Sequence, residues 1–373
     1  MAAAIAFPPC LVPAGANELR ADVRAFIAQE KAPGTHYTES SREFSRKLGA
    51  RGWIGMTWPK RWGGADRTSL ERYVVVEELI AAGAPIFYHW VADRQSGPLL
   101  LRFGTDEQRD RFLPAIARGE CGFAIGLSEP NAGSDLAAIT TRAVRIDKGW
   151  RITGTKIWTS NAQVAEFMIV LCRTSPRGND RRHGFSQFIV DLGSSGVRVN
   201  PIKNMAGQRE FNEVVLEEVF VPDKLLLGPV DQGWGQLISE LAFERSGPDR
   251  FLSALQLCRS FIEEVGDAPT EAEAVLIGRM ATHLWTLRHM SASVAGMLQH
   301  KSPELEAAIV KDLGTRFEQQ IVESCRSLRP APARGSAYAD ALIDAQLYMP
   351  RVTIQGGTPQ ILRNAMAREL GLR

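Results

Sequence analysis

The spacing of apolar residues changes twice along this 373-residue chain and divides it into three stretches. Apolar residues recur at helical spacing over residues 16–120 and again from Gly233 onward. Between Gly122 and Gly228, β-branched residues alternate with polar ones between turn clusters, which predicts short strands. Helices, then strands, then helices indicate an α+β chain. We expect a helical domain over 1–121, a middle antiparallel β-barrel or sandwich over 122–229, and a helical domain over 230–373.

Individual helices and strands are predicted from the same spacing. Thr105 to Gln108 is a capping-type helix start, and residues 330–335 form a clear break between helices. The helices are predicted at residues 16–29, 43–49, 70–82, 237–264, 270–299, 303–328, 340–349 and 359–370. The strands include residues 150–153, 167–171, 185–190 and 213–220.

The composition argues against several classes of function. A net charge of +2 with 23% charged residues gives no argument for binding nucleic acid or a membrane surface. The five cysteines are scattered without a C-x-x-C pair, which is typical of a reduced cytoplasmic protein without disulfides or a metal site. No apolar run has the length of a membrane span, and the first ten residues lack the basic start of a signal peptide.

Two short motifs in the strand-rich stretch carry most of the functional information. Residues 127–135 read Leu-Ser-Glu-Pro-Asn-Ala-Gly-Ser-Asp, and residues 156–161 read Lys-Ile-Trp-Thr-Ser-Asn. The motifs supply an aromatic side chain that can pack on a ring, hydroxyls that can bond to its polar edge, and a glycine that lets the backbone approach closely. These groups suit a flat heterocycle with a phosphate tail. Taken alone, the first motif is equally consistent with ordinary turn chemistry, and Trp158 with an ordinary core aromatic.

The two motifs, in this order and at this spacing, resemble the flavin-binding middle domain of the acyl-CoA dehydrogenase family. Further segments resemble the family in the same order, at residues 52–59, 104–108, 231–235 and 357–361. The resemblance implies an all-helical N-terminal domain, a β middle domain, a C-terminal four-helix bundle and bound FAD. The implied contacts to flavin or its phosphates are Ile125, Leu127, Ser128, Gly133, Ser134, Trp158, Thr159 and Ser160, with Thr358 and Gln360 near the dinucleotide.

The resemblance also implies a reaction, the removal of two hydrogens across Cα–Cβ of an acyl-CoA thioester from fatty acid or steroid side-chain catabolism. A carboxylate takes the α proton while the β hydride passes to flavin, and electron-transfer flavoprotein is the implied electron acceptor. Ser134 and Arg245 are the implied contacts to the substrate or its CoA arm. Such a base works best when an apolar cleft raises its pKa towards neutrality.

The position of the base departs from that in much of the family, where a Glu precedes Gly-Thr in the C-terminal loop. Gly356 stands at that position here and cannot remove a proton. A second branch of the family carries the base in a Glu-Arg pair on the first bundle helix, which Glu244-Arg245 matches. Glu244 is therefore the predicted base, and Glu240, one turn earlier, is a weaker candidate. The alternative is an ordinary solvated Glu-Arg pair on a helix.

Two segments through which family members reach the FAD of a neighbouring subunit are missing from the sequence. The Arg-x-x-Phe-Gly whose Arg contacts the pyrophosphate is absent from residues 260–270, and the Gln-x-x-Gly-Gly segment is absent from residues 329–349. An Arg–phosphate pair is among the stronger hydrogen bonds. A homologous partner that supplies these contacts would make the chain one subunit of a hetero-tetramer, and the alternatives are a homo-oligomer, weak FAD binding or lost redox activity.

Three functions are therefore compatible with the sequence. The first is an FAD-dependent acyl-CoA dehydrogenase. The second is a non-catalytic partner subunit, which the missing Arg and the glycine at position 356 favour. The third is flavin monooxygenation or nitroalkane oxidation on the same fold, against which Glu244 argues mildly.

Overall fold

The computed structural model describes residues 5–10, 13–30, 38–176, 178–331 and 333–372, and only the backbone over residues 240–244. The chain forms two compact units. The sheet unit contains residues 38–67 and 85–240, and the bundle unit contains residues 1–37, 68–84 and 241–373. This division into two units does not test the predicted domain boundaries, which stay a prediction.

The described residues form twelve α-helices, which we number in chain order. Helices α1–α12 are Ala16–Gln29, Arg42–Ala50, Ser69–Ala81, Phe87–Val91, Gly97–Phe103, Asp106–Ala117, Gly233–Arg245, Leu255–Val265, Glu271–Met297, Glu304–Leu328, Ala337–Val352 and Pro359–Glu369. The predicted order of helices, strands and helices is confirmed, as is the helix start at Thr105. Its hydroxyl accepts from the Gln108 N–H at 3.2 Å, while the Gln108 side chain accepts from the Thr105 N–H at 3.0 Å.

One predicted helix was wrong, because residues 237–264 form two helices rather than one. α7 ends at Arg245 and α8 begins at Leu255, with a 3₁₀ turn at Pro248–Arg250 between them. Gly247 is extended, with φ −68° and ψ 164°, because the residue before a proline is disfavoured in the helical region. The proline also lacks the N–H that would continue the helical hydrogen bonds.

Within the described residues, the sheet unit is built on one sheet of eight strands. Strands β1–β8 are Phe123–Gly126, Arg142–Ile146, Gly149–Ser160, Phe167–Arg173, Phe185–Asp191, Val197–Ile202, Phe211–Pro222 and Leu226–Leu227. Their order is β6-β7-β3-β2-β4-β5-β8, and β1 pairs with β4. Most neighbours are antiparallel, but the β1–β4 and β2–β4 pairs are parallel. The strand-rich stretch is therefore a mixed sheet in which antiparallel pairing dominates.

The core of the sheet unit lies around β4 and β5. Residues 168–172 and 185–190 are buried without alternation, so both faces of these strands are covered. On one face, Phe112 of α6 packs edge-to-face against Phe123 and Phe167, with ring centroids 5.5 and 5.0 Å apart. Next to the first motif, residues 127–135, Phe185 packs with Leu171 and Leu237 in a buried cluster. Leu127 and Trp234 also touch this cluster.

The bundle unit contains four helices packed together, α8, α9, α10 and α11, with α12 packed on α10. Helices α1 and α3 join it from the N-terminal part of the chain. Charged groups link these elements: Glu77 and Glu78 of α3 pair with Arg20 of α1, and Glu77 also pairs with Arg288 of α9. Residues distant in sequence therefore complete this unit.

Candidate active site

The two sequence motifs lie side by side in the sheet unit. The first motif, residues 127–135, follows β1, and the second motif, residues 156–161, covers the end of β3. The backbone N–H of Ile157 donates to the carbonyl of Ser128 at 2.9 Å. The Nζ of Lys156 donates to the carbonyl of Leu127 at 3.1 Å. The structure thus brings together the predicted flavin contacts of both motifs.

A buried ion pair joins the motifs below their exposed surface. Lys156 Nζ lies 2.9 Å from Glu129 Oε1, and the two side chains are 0% and 6% exposed. Burial opposes ionisation of Glu129, but Lys156 and the hydrogen bonds from Thr141 and Thr140 more than offset it and lower the Glu129 pKa to about 2. Burial also lowers the pKa of Lys156, which Glu129 counteracts.

Trp158 owes its orientation to a β-bulge. Lys156 pairs with Val214 and Thr159 with Asn212, so two residues of β3 oppose a single residue of β7. Trp158 adopts φ 61°, a left-handed conformation that a bulky residue rarely takes. The residue is 56% exposed, and its indole touches Phe211 edge-on, with ring centroids 6.2 Å apart. The bulge therefore presents a flat aromatic surface outward rather than into the core.

The polar groups around Trp158 fit a flavin with its phosphates. The Thr159 hydroxyl is buried and has no hydrogen-bond partner among the described residues. The Gly133–Ser134 segment is exposed, and a Cβ added at Gly133 would meet no atom within 4 Å. A bound polar heterocycle would pack on the exposed face of Trp158 and hydrogen-bond to the Thr159 hydroxyl. Its phosphates would lie against the open turn at Gly133 and Ser134.

The hairpin between β4 and β5 packs against the first motif. Arg181 forms an ion pair with Asp135 at 2.6 Å, and the Arg182 guanidinium lies 5.8 Å from the Trp234 ring centroid. Arg173 donates to the carbonyl of Ala137 at 3.1 Å. The hairpin tip is therefore a charged support for the loop that carries Ser134.

The bundle unit carries the predicted base and substrate contact. Glu244 lies in the last turn of α7, and its side chain and that of Glu240 lie outside the described residues. Arg245 Nε donates to the carbonyl of Gly356 at 3.1 Å, which ties the end of α7 to the turn where much of the family carries its base. Gly356 and Gly357 have φ of 72° and 102°, values that glycine adopts without strain.

Thr358 and Gln360 begin α12 directly after this turn. Thr358 is the N-cap, and its hydroxyl accepts from the N–H of Ile361 at 3.4 Å. Gln360 is exposed in the first helical turn. The N–H groups of a helix start suit a phosphate, in keeping with the prediction that these residues lie near the dinucleotide. The roles of all the predicted site residues stay predictions.

Glu129 and Lys156 lie inside the two motifs, but the sequence predicted a role for neither of them. The available signal was that Lys156 is the one charged residue of the second motif, while the first motif carries the acidic residues Glu129 and Asp135. No group of three or more His, Cys, Asp or Glu side chains that could hold a metal ion occurs in the described part of the chain. None of the helices in that part combines the length and the apolar character needed to cross a membrane.

The sequence matches two domain families of known proteins. Residues 14–120 match the acyl-CoA dehydrogenase N-terminal domain, and residues 124–219 match the acyl-CoA dehydrogenase middle domain. Acyl-CoA dehydrogenase IpdE1 of Mycobacterium tuberculosis is 31% identical, and the match covers 95% of this chain and 97% of that protein. Acyl-CoA dehydrogenase FadE34 of the same organism is 32% identical over 94% of this chain, which spans 48% of its length.

Solved structures share the fold over nearly the whole chain. The Tcur3481-Tcur3483 steroid ACAD superposes with a TM-score of 0.87 at 28% identity, covering 97% of this chain and 98% of that chain. The ChsE4-ChsE5 complex from Mycobacterium tuberculosis gives 0.83 at 26% identity, covering 97% and 98%. With both domain matches, a relative matched along its whole length and this fold, the chain belongs to the acyl-CoA dehydrogenase family of FAD-dependent oxidoreductases.

Proposed function

We propose that this chain is an acyl-CoA dehydrogenase that introduces a double bond between Cα and Cβ of an acyl-CoA thioester. The observation that carries the proposal is the outward-facing Trp158, held left-handed on a bulge beside the unpartnered hydroxyl of Thr159. Either feature also occurs elsewhere in the described residues, but Trp158 and Thr159 combine backbone strain, an exposed aromatic face and an unpartnered hydroxyl at adjacent positions. Family membership supplies the type of reaction, and the site supplies the residues.

FAD would be held mainly by the two motifs. The residues proposed to contact it are Ile125, Leu127, Ser128, Gly133, Ser134, Trp158, Thr159 and Ser160, with Thr358 and Gln360 near its dinucleotide. When bound, FAD would accept the hydride that leaves the substrate's Cβ. The hydroxyls of Ser128 and Ser160 make no hydrogen bond within the part of the chain that the structure describes, so both are free to donate.

Glu244 is the proposed general base for the α proton. It lies one residue before Arg245, whose bond to the Gly356 carbonyl holds this end of α7 against the glycine turn. Neither Gly356 nor Gly357 has a side chain that could compete for the role. Ionised Glu244 would take the proton from Cα, while Arg245 and Ser134 would contact the substrate or its CoA arm.

The proposed substrates include bulky, steroid-like thioesters. Support comes from the solved structure named as a steroid ACAD, which is 28% identical to this chain. Glycine at position 356 also leaves the turn that Arg245 contacts without the side chain that much of the family carries there. Electron-transfer flavoprotein is the proposed electron acceptor, and the cytoplasm is the proposed location.

Exchange of Glu244 for glutamine tests the base. The variant keeps the shape of the side chain but removes its carboxylate, so kcat should fall by at least about 10²–10⁴-fold. The measurement is anaerobic bleaching of the visible flavin absorbance by a panel of straight-chain and steroid-type acyl-CoA thioesters. Glu240→Gln, one turn earlier, is the matched control and should keep near-normal rates. Normal bleaching in Glu244→Gln would reject the assignment.

A half-site partner subunit is the second candidate function. The turn between α8 and α9 spans only residues 266–270 and has no arginine to offer a neighbouring FAD. The ChsE4-ChsE5 structure is named as a complex of two different chains. Native mass spectrometry after expression alone and with a co-encoded homologue would decide. A homo-tetramer with one FAD per chain excludes the partner role, and FAD at half the sites of a mixed tetramer supports it.

A further inference from the structure

The carboxylate of Glu129 bridges the two ends of the loop that carries Gly133 and Ser134. Its Oε2 accepts from the N–H and hydroxyl of Thr140, at 2.7 and 2.9 Å. Its Oε1 accepts from the N–H of Thr141 at 2.9 Å. One side chain thus fastens both ends of a loop whose tip is open to solvent.

Lys156 connects the bridged loop ends to the second motif. Its Nζ reaches Glu129 Oε1 at 2.9 Å and the Leu127 carbonyl at 3.1 Å, both in the first motif. Trp158 follows two residues later on β3. Gly126 leaves room for the lysine stem, because a Cβ added there would lie 3.2 Å from Lys156 Cγ. The same ammonium therefore contacts both the start of the first motif and the carboxylate that bridges the loop ends.

Stability alone gives no good reason for this arrangement. Two charges buried without solvent carry a desolvation penalty that their attraction often only balances, and apolar residues of similar volume are frequently as stable. An ion pair with defined partners specifies geometry, which an apolar contact does not. Here the specified geometry is the position of the Ser134 loop relative to the Trp158 bulge.

We propose that Lys156 and Glu129 are positioning residues, a clasp that fixes the two flavin-facing motifs relative to each other. This inference rests on the proposed function, because the clasp matters only if the two motifs hold one ligand. Neither residue needs to touch FAD. The clasp acts through Thr140 and Thr141 on one side and through β3 on the other.

The test compares Lys156→Met, Glu129→Gln and the double variant with wild type. Met and Gln keep the side-chain lengths while removing the charges. The matched control is Arg198→Met with Glu217→Gln, because Arg198 and Glu217 form an exposed ion pair at the β6 edge of the same sheet. The double variant leaves no unpaired buried charge, so it should regain most of the thermal stability that each single variant loses.

Amide hydrogen exchange on FAD-free protein measures directly whether the Lys156–Glu129 pair protects the backbone of the two motifs. In both single variants and in the double variant, the amides of Thr140, Thr141 and Ile157 should exchange faster, by at least about 10-fold. The two motifs should lose protection together, and the control variants should match wild type. Unchanged protection in either motif would overturn the clasp.

FAD affinity and visible circular dichroism separate positioning from mere stability. The double variant should bind FAD about 10- to 100-fold more weakly, as when the partners that orient binding residues are lost, and with altered visible dichroism at saturation. Wild-type affinity and dichroism in the double variant would reject the positioning role. Failure of wild type to bind FAD, both alone and with a co-encoded homologue, would reject the proposed function instead, while the exchange data would still decide whether the clasp exists.

Discussion

At the scale of single residues, Trp158 shows how the site departs from a relaxed strand. A left-handed conformation costs a residue with a side chain about 1–2 kcal/mol. The indole nevertheless stays largely uncovered, so burial of its surface does not repay that energy. The motif identified the residue, but its conformation depends on the pairing of β3 with β7, which no local sequence pattern specifies.

Exchange of Trp158 for glycine should separate ligand binding from stability. Glycine relieves the left-handed strain, so the unfolding free energy of FAD-free protein should stay within about 1 kcal/mol of wild type. FAD affinity should fall by about 10-fold, because the aromatic wall is gone. Lys148→Gly is the control, since Lys148 has φ 58° in the β2–β3 turn and should leave FAD affinity unchanged. A stability loss of about 3–5 kcal/mol, typical of a core tryptophan, would contradict this view.

At the scale of elements, a buried carboxyl of α10 supports the start of α8. Glu318 is 1% exposed, and its Oε1 accepts from the N–H of Ser253 at 2.7 Å and of Ala254 at 3.3 Å. These N–H groups belong to the N-cap of α8, Ala254, and to the residue before it. Proline at position 248 made the break before α8 predictable in principle, but not the residue that caps it, because Glu318 lies more than sixty positions away.

Glu318 should make the unfolding free energy depend on pH. Burial raises its pKa to about 7, so the folded protein keeps the proton at pH values where the unfolded chain releases it. The contribution is complete below the unfolded pKa and is lost as pH rises through about 7. The unfolding free energy of wild type, measured relative to Glu318→Gln, should therefore fall by up to about 3 kcal/mol between pH ~5 and pH ~8.

Chemical denaturation across this pH range gives the measurement. Glu323→Gln is the control on the same helix, because Glu323 is exposed and paired with Arg326. Burial is not what sets its ionisation, so its exchange should leave the wild-type slope in place. An identical pH dependence for wild type and Glu318→Gln would contradict the assignment.

At the scale of the whole molecule, the bundle unit is discontinuous in sequence. Helical spacing correctly predicted α1 and α3 as helices, and the family resemblance correctly predicted a helical C-terminal region. Neither the spacing nor the resemblance indicated that α1 and α3 belong to the same unit as the C-terminal helices. The ion pairs of Glu77 with Arg20 and Arg288 join segments that are distant in sequence. Pairings across two hundred residues leave no local pattern.

Exchange of Glu77 for alanine should destabilise the bundle unit. The carboxylate is buried and accepts charged hydrogen bonds from Arg20 and Arg288, so its loss should cost about 2 kcal/mol of unfolding free energy. Glu217→Ala breaks an exposed ion pair with Arg198 and should cost much less than Glu77→Ala. Thermal unfolding and hydrogen exchange of α3 and α9 would measure both. Equal costs for the two variants would contradict a joining role for Glu77.

The discontinuity of the bundle unit also sets an order of events on the ribosome. At about 5–20 residues per second, roughly 10–40 s separate the emergence of α3 from that of Arg288. During this interval the sheet unit can finish folding, because its last residue precedes most of the bundle. Helix α3, whose Val75 and Leu79 are buried in the folded chain, lacks its packing against α9 throughout. We expect α1 and α3 to be the segments of the nascent chain that holding chaperones bind.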